Sequence, residues 1–139
     1  MVEAKEFLSQ VKRMDVLIKN KLVECQQWKD IALGITANMD GERVQSSGSQ
    51  SKMADALIKC MDIENEVNAL VDKLIDTRIE VIKTIEQLGS PVQYDVLHMH
   101  YIQYLSYQEI ADKYGNSYDW VKKTHKRALL NIKEIMDKK

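Results

Sequence analysis

Proline and phenylalanine each occur once in this 139-residue chain, glycine five times and cysteine twice. A β-sandwich or barrel needs turn residues roughly every 8–12 positions, and so little Gly and Pro cannot punctuate one. Cys25 and Cys60 lie far apart and in no CxxC pattern. That excludes a disulfide framework and reads as two reduced core thiols. No apolar run approaches the ~20 residues a membrane helix needs. The opening residues mix acids with apolar groups, unlike a signal sequence. These absences predict a soluble, cytoplasmic protein. Charge of one sign is missing as well: 20 basic against 21 acidic residues give a net of −1, so net charge implies no polyanionic partner. There is no P-loop, no GxGxxG and no Ser/His/Asp or Cys/His arrangement, so neither an enzyme nor a cofactor is expected. His98 and His100 are two apart and fall on different sides of a helix, which argues against a zinc pair.

What the chain does have is helical periodicity. From Val2 to about Asn38, Ala4, Leu8, Val11, Ile18, Leu22, Cys25, Trp28 and Ala32 recur in steps that place them on one stripe. A loop is expected from about Asn38 to Ser51, where Asp40–Gly41 and a Ser-rich run replace the stripe. A second stripe runs from about Lys52 to Leu88 through Met53, Leu57, Cys60, Ile63, Val67, Leu74, Val81 and Ile85. Each helix would span ~50 Å, and two matched amphipathic helices with one loop predict an antiparallel coiled-coil hairpin. Phe7, Val16, Leu17, Val23, Ile31, Leu33 and Ile35 widen the first stripe, and Ile58, Ile75, Ile79 and Ile82 widen the second. Wider stripes predict a homodimer, or docking onto the C-terminal part.

Gly89–Ser90–Pro91 ends the second helix and opens a third: Gly at C′, Ser90 as cap, Pro91 at the first helical position, Gln93 completing a capping box. The domain boundary is placed here, giving a hairpin over 1–89 and a second domain over 90–139. The third helix is expected at about Pro91–Gln103, with Val92, Val96, Leu97, Tyr101 and Ile102 inward. Ser106 and Glu109 form another capping box and open a short helix to Tyr114. Gly115 makes a turn that needs positive φ, and Ser117 caps the last helix.

The spacing Ala111, Gly115, Val121 is that of a helix-turn-helix: a small residue for close approach, a Gly for the turn, a branched residue to lock the second helix. Charge is also uneven. Residues 1–90 carry 12 basic and 15 acidic groups, a net of −3, whereas residues 117–139 carry seven basic against three acidic, a net of +4. Projected at about 100° per residue, Val121, Thr124, Ala128, Ile132 and Ile135 face inward and the basic residues outward. Tyr118, Asp119, Lys122 and Lys123 are therefore candidates for base edges in a major groove. Lys126, Arg127 and Lys133 are candidates for phosphate contact, although lysines opposite an apolar face are often only solvated. Trp120 and His125 border the inner face and are assigned to packing.

The residues Tyr101, Ser106–Tyr107–Gln108–Glu109–Ile110–Ala111, Ser117–Tyr118–Asp119–Trp120–Val121, His125, Ala128 and Leu129 resemble region four of bacterial sigma factors, the part that reads the −35 promoter element. With Ala4–Lys5–Glu6–Phe7–Leu8, Lys19–Asn20–Lys21 and Ser46–Ser47–Gly48 included, the chain is similar to small phage and prophage regulators of the RinA/ArpU late-activator type. That resemblance implies an all-α fold, a long helical hairpin followed by a region-four-like domain, with residues 117–136 as recognition helix. It implies double-stranded DNA as ligand and RNA polymerase as a further partner. Sigma factors usually carry Arg early in that helix, where Tyr118 and Trp120 stand here, so the −35 preference does not carry over. No region two is recognisable, so the chain is not a complete sigma factor. Two rival readings remain: a small terminase-like DNA-packaging subunit, and a helical adaptor that binds protein, not DNA.

Overall fold

The structure, a computed structural model, describes residues 2–34 and 47–138, with the side chains of residues 47–50 outside that description. It is all-α, with no strand among the described residues: α1 (Val2–Ala32), α2 (Ser47–Glu86), α3 (Pro91–Leu97) running into a π-helical turn (His98–Ile102), α4 (Tyr107–Tyr114) and α5 (Tyr118–Asp137). No helix among them is long and apolar enough to cross a membrane.

On both sides of the expected loop the helix ends differ from the sequence reading. α1 stops at Ala32 because Gly34 takes the left-handed conformation (φ 74°) and its N–H caps Ile31 O at 3.1 Å. The loop expected from Asn38 lies outside the described residues as far as Ser46. Residues 47–51, assigned to that loop for their Ser and Gly content, instead open α2. A helix preceding a long apolar stripe overrides weak local propensity.

The chain forms two compact units, Val16–Lys73 and Met1–Asp15 with Leu74–Lys139. Within Val16–Lys73, α1 and α2 run antiparallel, since Lys21 pairs with Glu66 (2.6 Å) and Cys25 meets Cys60 further along. The buried seam is Ile18, Cys25 and Ala32 against Ala56, Cys60, Ile63 and Val67. Lys21–Glu66 and Lys29–Glu64 (3.4 Å) flank it in contact with solvent, so the apolar seam carries the pairing. Cys25 and Cys60 are free, buried thiols. Two helices bury one stripe each, which leaves Val16, Leu17, Val23, Ile31, Leu33 and Ile58 exposed.

In the other unit, the first turns of α1 and the last turns of α2 share one core with the C-terminal helices. Ala4, Leu8 and Val11 meet Val81 and Ile85, then Leu97, Tyr101, Ile102, Ala128, Leu129 and Ile132. Phe7 and Ile82, read as widening the stripes, are half-buried against this cluster, whereas Ile75 and Ile79 are exposed. A smaller cluster, Val96, Ile110, Ala111 and Val121, lies between α3, α4 and α5. The compact unit thus crosses the 89/90 division drawn from sequence.

α2 closes with Gln87 N–H to Thr84 O (3.1 Å) and Leu88 N–H to Ile85 O (3.0 Å), two residues before the expected Leu88 end. Gly89 does not adopt positive φ, so it is no left-handed C′ residue. Ser90 Oγ accepts from Gln93 N–H (3.3 Å) as expected. The reciprocal half of that capping box is missing: Gln93 Oε1 accepts from Asn131 on α5 (2.7 Å) instead. A tertiary partner has taken the side chain the local motif would have used. Beyond Leu97 the helix widens, with Gln103 N–H bonding His98 O (3.0 Å), five residues back. Tyr104 then takes φ 63°, which costs a non-glycine residue about 1–2 kcal/mol. Its ring lies under Lys12 Nζ (5.9 Å) and its hydroxyl bonds Asp15. Burial and that bond push its pKa up to about 12.

Candidate nucleic-acid interface

The helix-turn-helix is built by three local devices. Ser106 Oγ accepts from Glu109 N–H (3.1 Å) and Glu109 Oε1 accepts from Ser106 N–H (2.9 Å), a complete capping box that starts α4. That bond to the Ser106 backbone holds the Glu109 carboxyl below its ordinary pKa. α4 stops because Gly115 is left-handed (φ 72°, ψ 32°), and its N–H and that of Asn116 both reach Ala111 O. Ser117 Oγ then accepts from Trp120 N–H (3.0 Å) and begins α5. Ala111 and Val121 are fully enclosed with Ile110 and Val96, so the Ala–Gly–Val spacing does what the sequence required of it. Tyr114 ties α4 to α3 through Asp95 Oδ2 (2.9 Å), and its ring packs on Trp120 at 5.3 Å.

Beneath this surface sits a polar node. His125 is buried, with Nε2 2.6 Å from the Tyr101 hydroxyl and Nδ1 3.0 Å from the Tyr107 hydroxyl. A neutral imidazole has one donor and one acceptor nitrogen, so one tyrosine donates to the ring and the other accepts from it. Burial, then the nearby His100 and Lys5, lowers the His125 pKa to about 4. Burial likewise raises both tyrosines. His125 is thus a packed residue, which fits its assignment. His100 Nδ1 is bound to Leu105 O (2.8 Å), and His98 Nδ1 to Gln103 Nε2 (3.0 Å).

The seven residues singled out from sequence all lie exposed on α5: Tyr118, Asp119, Lys122, Lys123, Lys126, Arg127 and Lys133. Their buried counterparts are Val121, Thr124, His125, Ala128, Leu129 and Ile132, so the two faces separate as projected, with Ile135 only half-buried. The candidates are not equivalent. Asp119 Oδ2 holds Lys123 Nζ at 3.1 Å, an exposed pair at i,i+4 in which each partner offsets the other's charge. Lys122 Nζ lies 5.9 Å from the Tyr118 ring, which itself stands edge-on to Tyr107 at 5.8 Å. Tyr118 is therefore braced on one side and free on the other.

One cation was invisible to sequence reasoning. Lys5 of α1 lines a cavity of about 280 Å³ with Val2, Tyr107, His125, Lys126 and Leu129. It adds positive charge beside Lys126, and only tertiary packing reveals it. A second grouping, Cys25, Cys60 and Glu64, also emerges only in three dimensions.

Residues 90–134 match the family model for sigma-70, region 4. No curated protein and no solved structure matches the chain. The matched segment covers α3, the π-helical turn, α4 and most of α5, so the domain is a helix-turn-helix similar to sigma region four.

Proposed function

We propose that the chain is a sequence-specific DNA-binding transcription regulator of phage or prophage origin, related to the RinA/ArpU type, acting in the cytoplasm by binding and not by catalysis. The carrying observation is a capped α5 with an apolar inner face and an exposed basic outer face, inside a segment similar to sigma region four. Its N-terminal end would enter the major groove, with Tyr118, Asp119, Lys122 and Lys123 at base edges. Lys126, Arg127 and Lys133 would neutralise phosphates, and Lys5 would extend that set. The exposed apolar residues of the long helices support a homodimer or a contact with RNA polymerase. A dimer would favour half-sites about one helical turn apart, or multiples of it.

The test is binding to genomic fragments at several salt concentrations. Selective enrichment of one site should weaken steeply with salt, and Lys122→Ala/Lys123→Ala should abolish the selectivity. Failure of every fragment to bind at low salt would refute the reading and favour a protein partner.

A further inference from the structure

The seam of the Val16–Lys73 unit contains one level where both helices bring soft ligand atoms together. Cys25 Sγ on α1 and Cys60 Sγ on α2 face each other, and Glu64 is one turn beyond Cys60 on the same helix. One ligand atom from each of the three lies within 4.8 Å of the others. Thiolates bound to zinc at ~2.3 Å in a tetrahedron stand about 3.7 Å apart, so closure needs movements of roughly an ångström, within reach of side-chain rotation. The i,i+4 spacing of Cys60 and Glu64 is one that places two ligands on the same helical face.

We infer that Cys25, Cys60 and Glu64 form a binding site for a thiophilic divalent metal ion of the zinc and cadmium class. Two thiolates select such ions over magnesium or calcium. Charge also balances. Two thiolates and a carboxylate leave a divalent ion with one excess negative charge, and Lys29 Nζ stands 3.4 Å from Glu64 Oε2 to offset it. A disulfide between the cysteines would give neither Glu64 nor Lys29 a role. Binding follows two thiol deprotonations, with both protons passing to solvent, and a water completes the fourth position at the half-exposed Glu64 side.

The test uses the full chain, reduced and metal-free, titrated with cadmium chloride while thiolate-to-cadmium charge-transfer absorption is followed in the ultraviolet. Expected are a band saturating at one ion per chain, release of two protons, a rise in Tm, and displacement by zinc. Cys25→Ser and Cys60→Ser should each remove the band. Glu64→Gln, a half-exposed position that does not threaten folding, should weaken binding by on the order of 10- to 100-fold. A missing band would overturn the site, as would cadmium affinity indifferent to Glu64→Gln. Formation of a Cys25–Cys60 disulfide with peroxide in a protein that binds no cadmium when reduced would also overturn it, assigning the pair to redox chemistry.

Discussion

The burial of His125 is expected to tie the stability of the region-four-like domain to pH. Its folded pKa of about 4 lies below the ordinary 6.5, so the unfolded chain binds the extra proton first. The stabilisation is complete above about pH 6.5 and is lost as pH falls toward 4. Wild type should lose about 2 kcal/mol of stability between pH 7.5 and 5 that His125→Gln does not lose, measured as urea midpoints at both values. An equal pH dependence in the two proteins would show that His125 is not held neutral. Gly115 and Gly89, each between two helices, make a second contrast. Gly115 has φ 72°, so Gly115→Ala should cost about 1–2 kcal/mol. Gly89 is not left-handed, and a Cβ there meets nothing within 4 Å. Gly89→Ala should therefore be neutral or gain up to about 1 kcal/mol, as thermal or urea unfolding would report.

α5 turns its apolar face into the core, and the Asp119–Lys123 pair lies on the opposite, exposed face that is proposed to meet DNA. If Asp119 acts mainly by holding Lys123, Asp119→Asn should raise affinity for every duplex tested and steepen the salt dependence by about one in log–log slope. If Asp119 accepts from a cytosine amino group, the same change should cost about 1–3 kcal/mol at the preferred site alone. Binding to matched specific and random duplexes separates these outcomes. The helices and their caps were legible because their causes are local. Ser106 with Glu109, Gly115, and Ser117 are each fixed by residues within one turn. The outward basic row of α5 was legible for the same reason, since helix geometry alone sorts 122, 123, 126, 127 and 133 from 121, 124, 128 and 132. The Ser90–Gln93 box failed because Asn131 competes for Gln93 from across the fold. The π-helical turn and the left-handed Tyr104 have no short-range signal; Tyr104 is held by Asp15 and Lys12, far away in sequence. Lys5 and the Cys25–Cys60–Glu64 grouping were hidden likewise, because each depends on which helix faces which.

A region-four-like segment placed after a long hairpin could be a self-sufficient reader on a tether, and the packing argues otherwise. The segment's own cluster of Val96, Ile110, Ala111 and Val121 is small, and full burial of such a side chain contributes only about 1.5–3 kcal/mol. The larger core takes Ala4, Leu8 and Val11 from α1 and Val81 and Ile85 from α2, all buried to 0% exposure against Leu97, Ala128 and Ile132. Chain entropy for some fifty residues, at about 1–2 kcal/mol each, leaves no room to forgo those contacts. A fragment of residues 90–139 should therefore lack the dispersed amide spectrum and cooperative unfolding of the full chain. Leu8→Ala, at a position wholly buried in that core, should cost about 2–5 kcal/mol through the cavity it leaves. It should also lower DNA affinity near the unfolding midpoint without changing the salt slope, because the cations proposed to contact phosphate remain. A well-folded fragment that binds DNA as tightly as the full chain would show instead that α1 and α2 serve only to bring readers together.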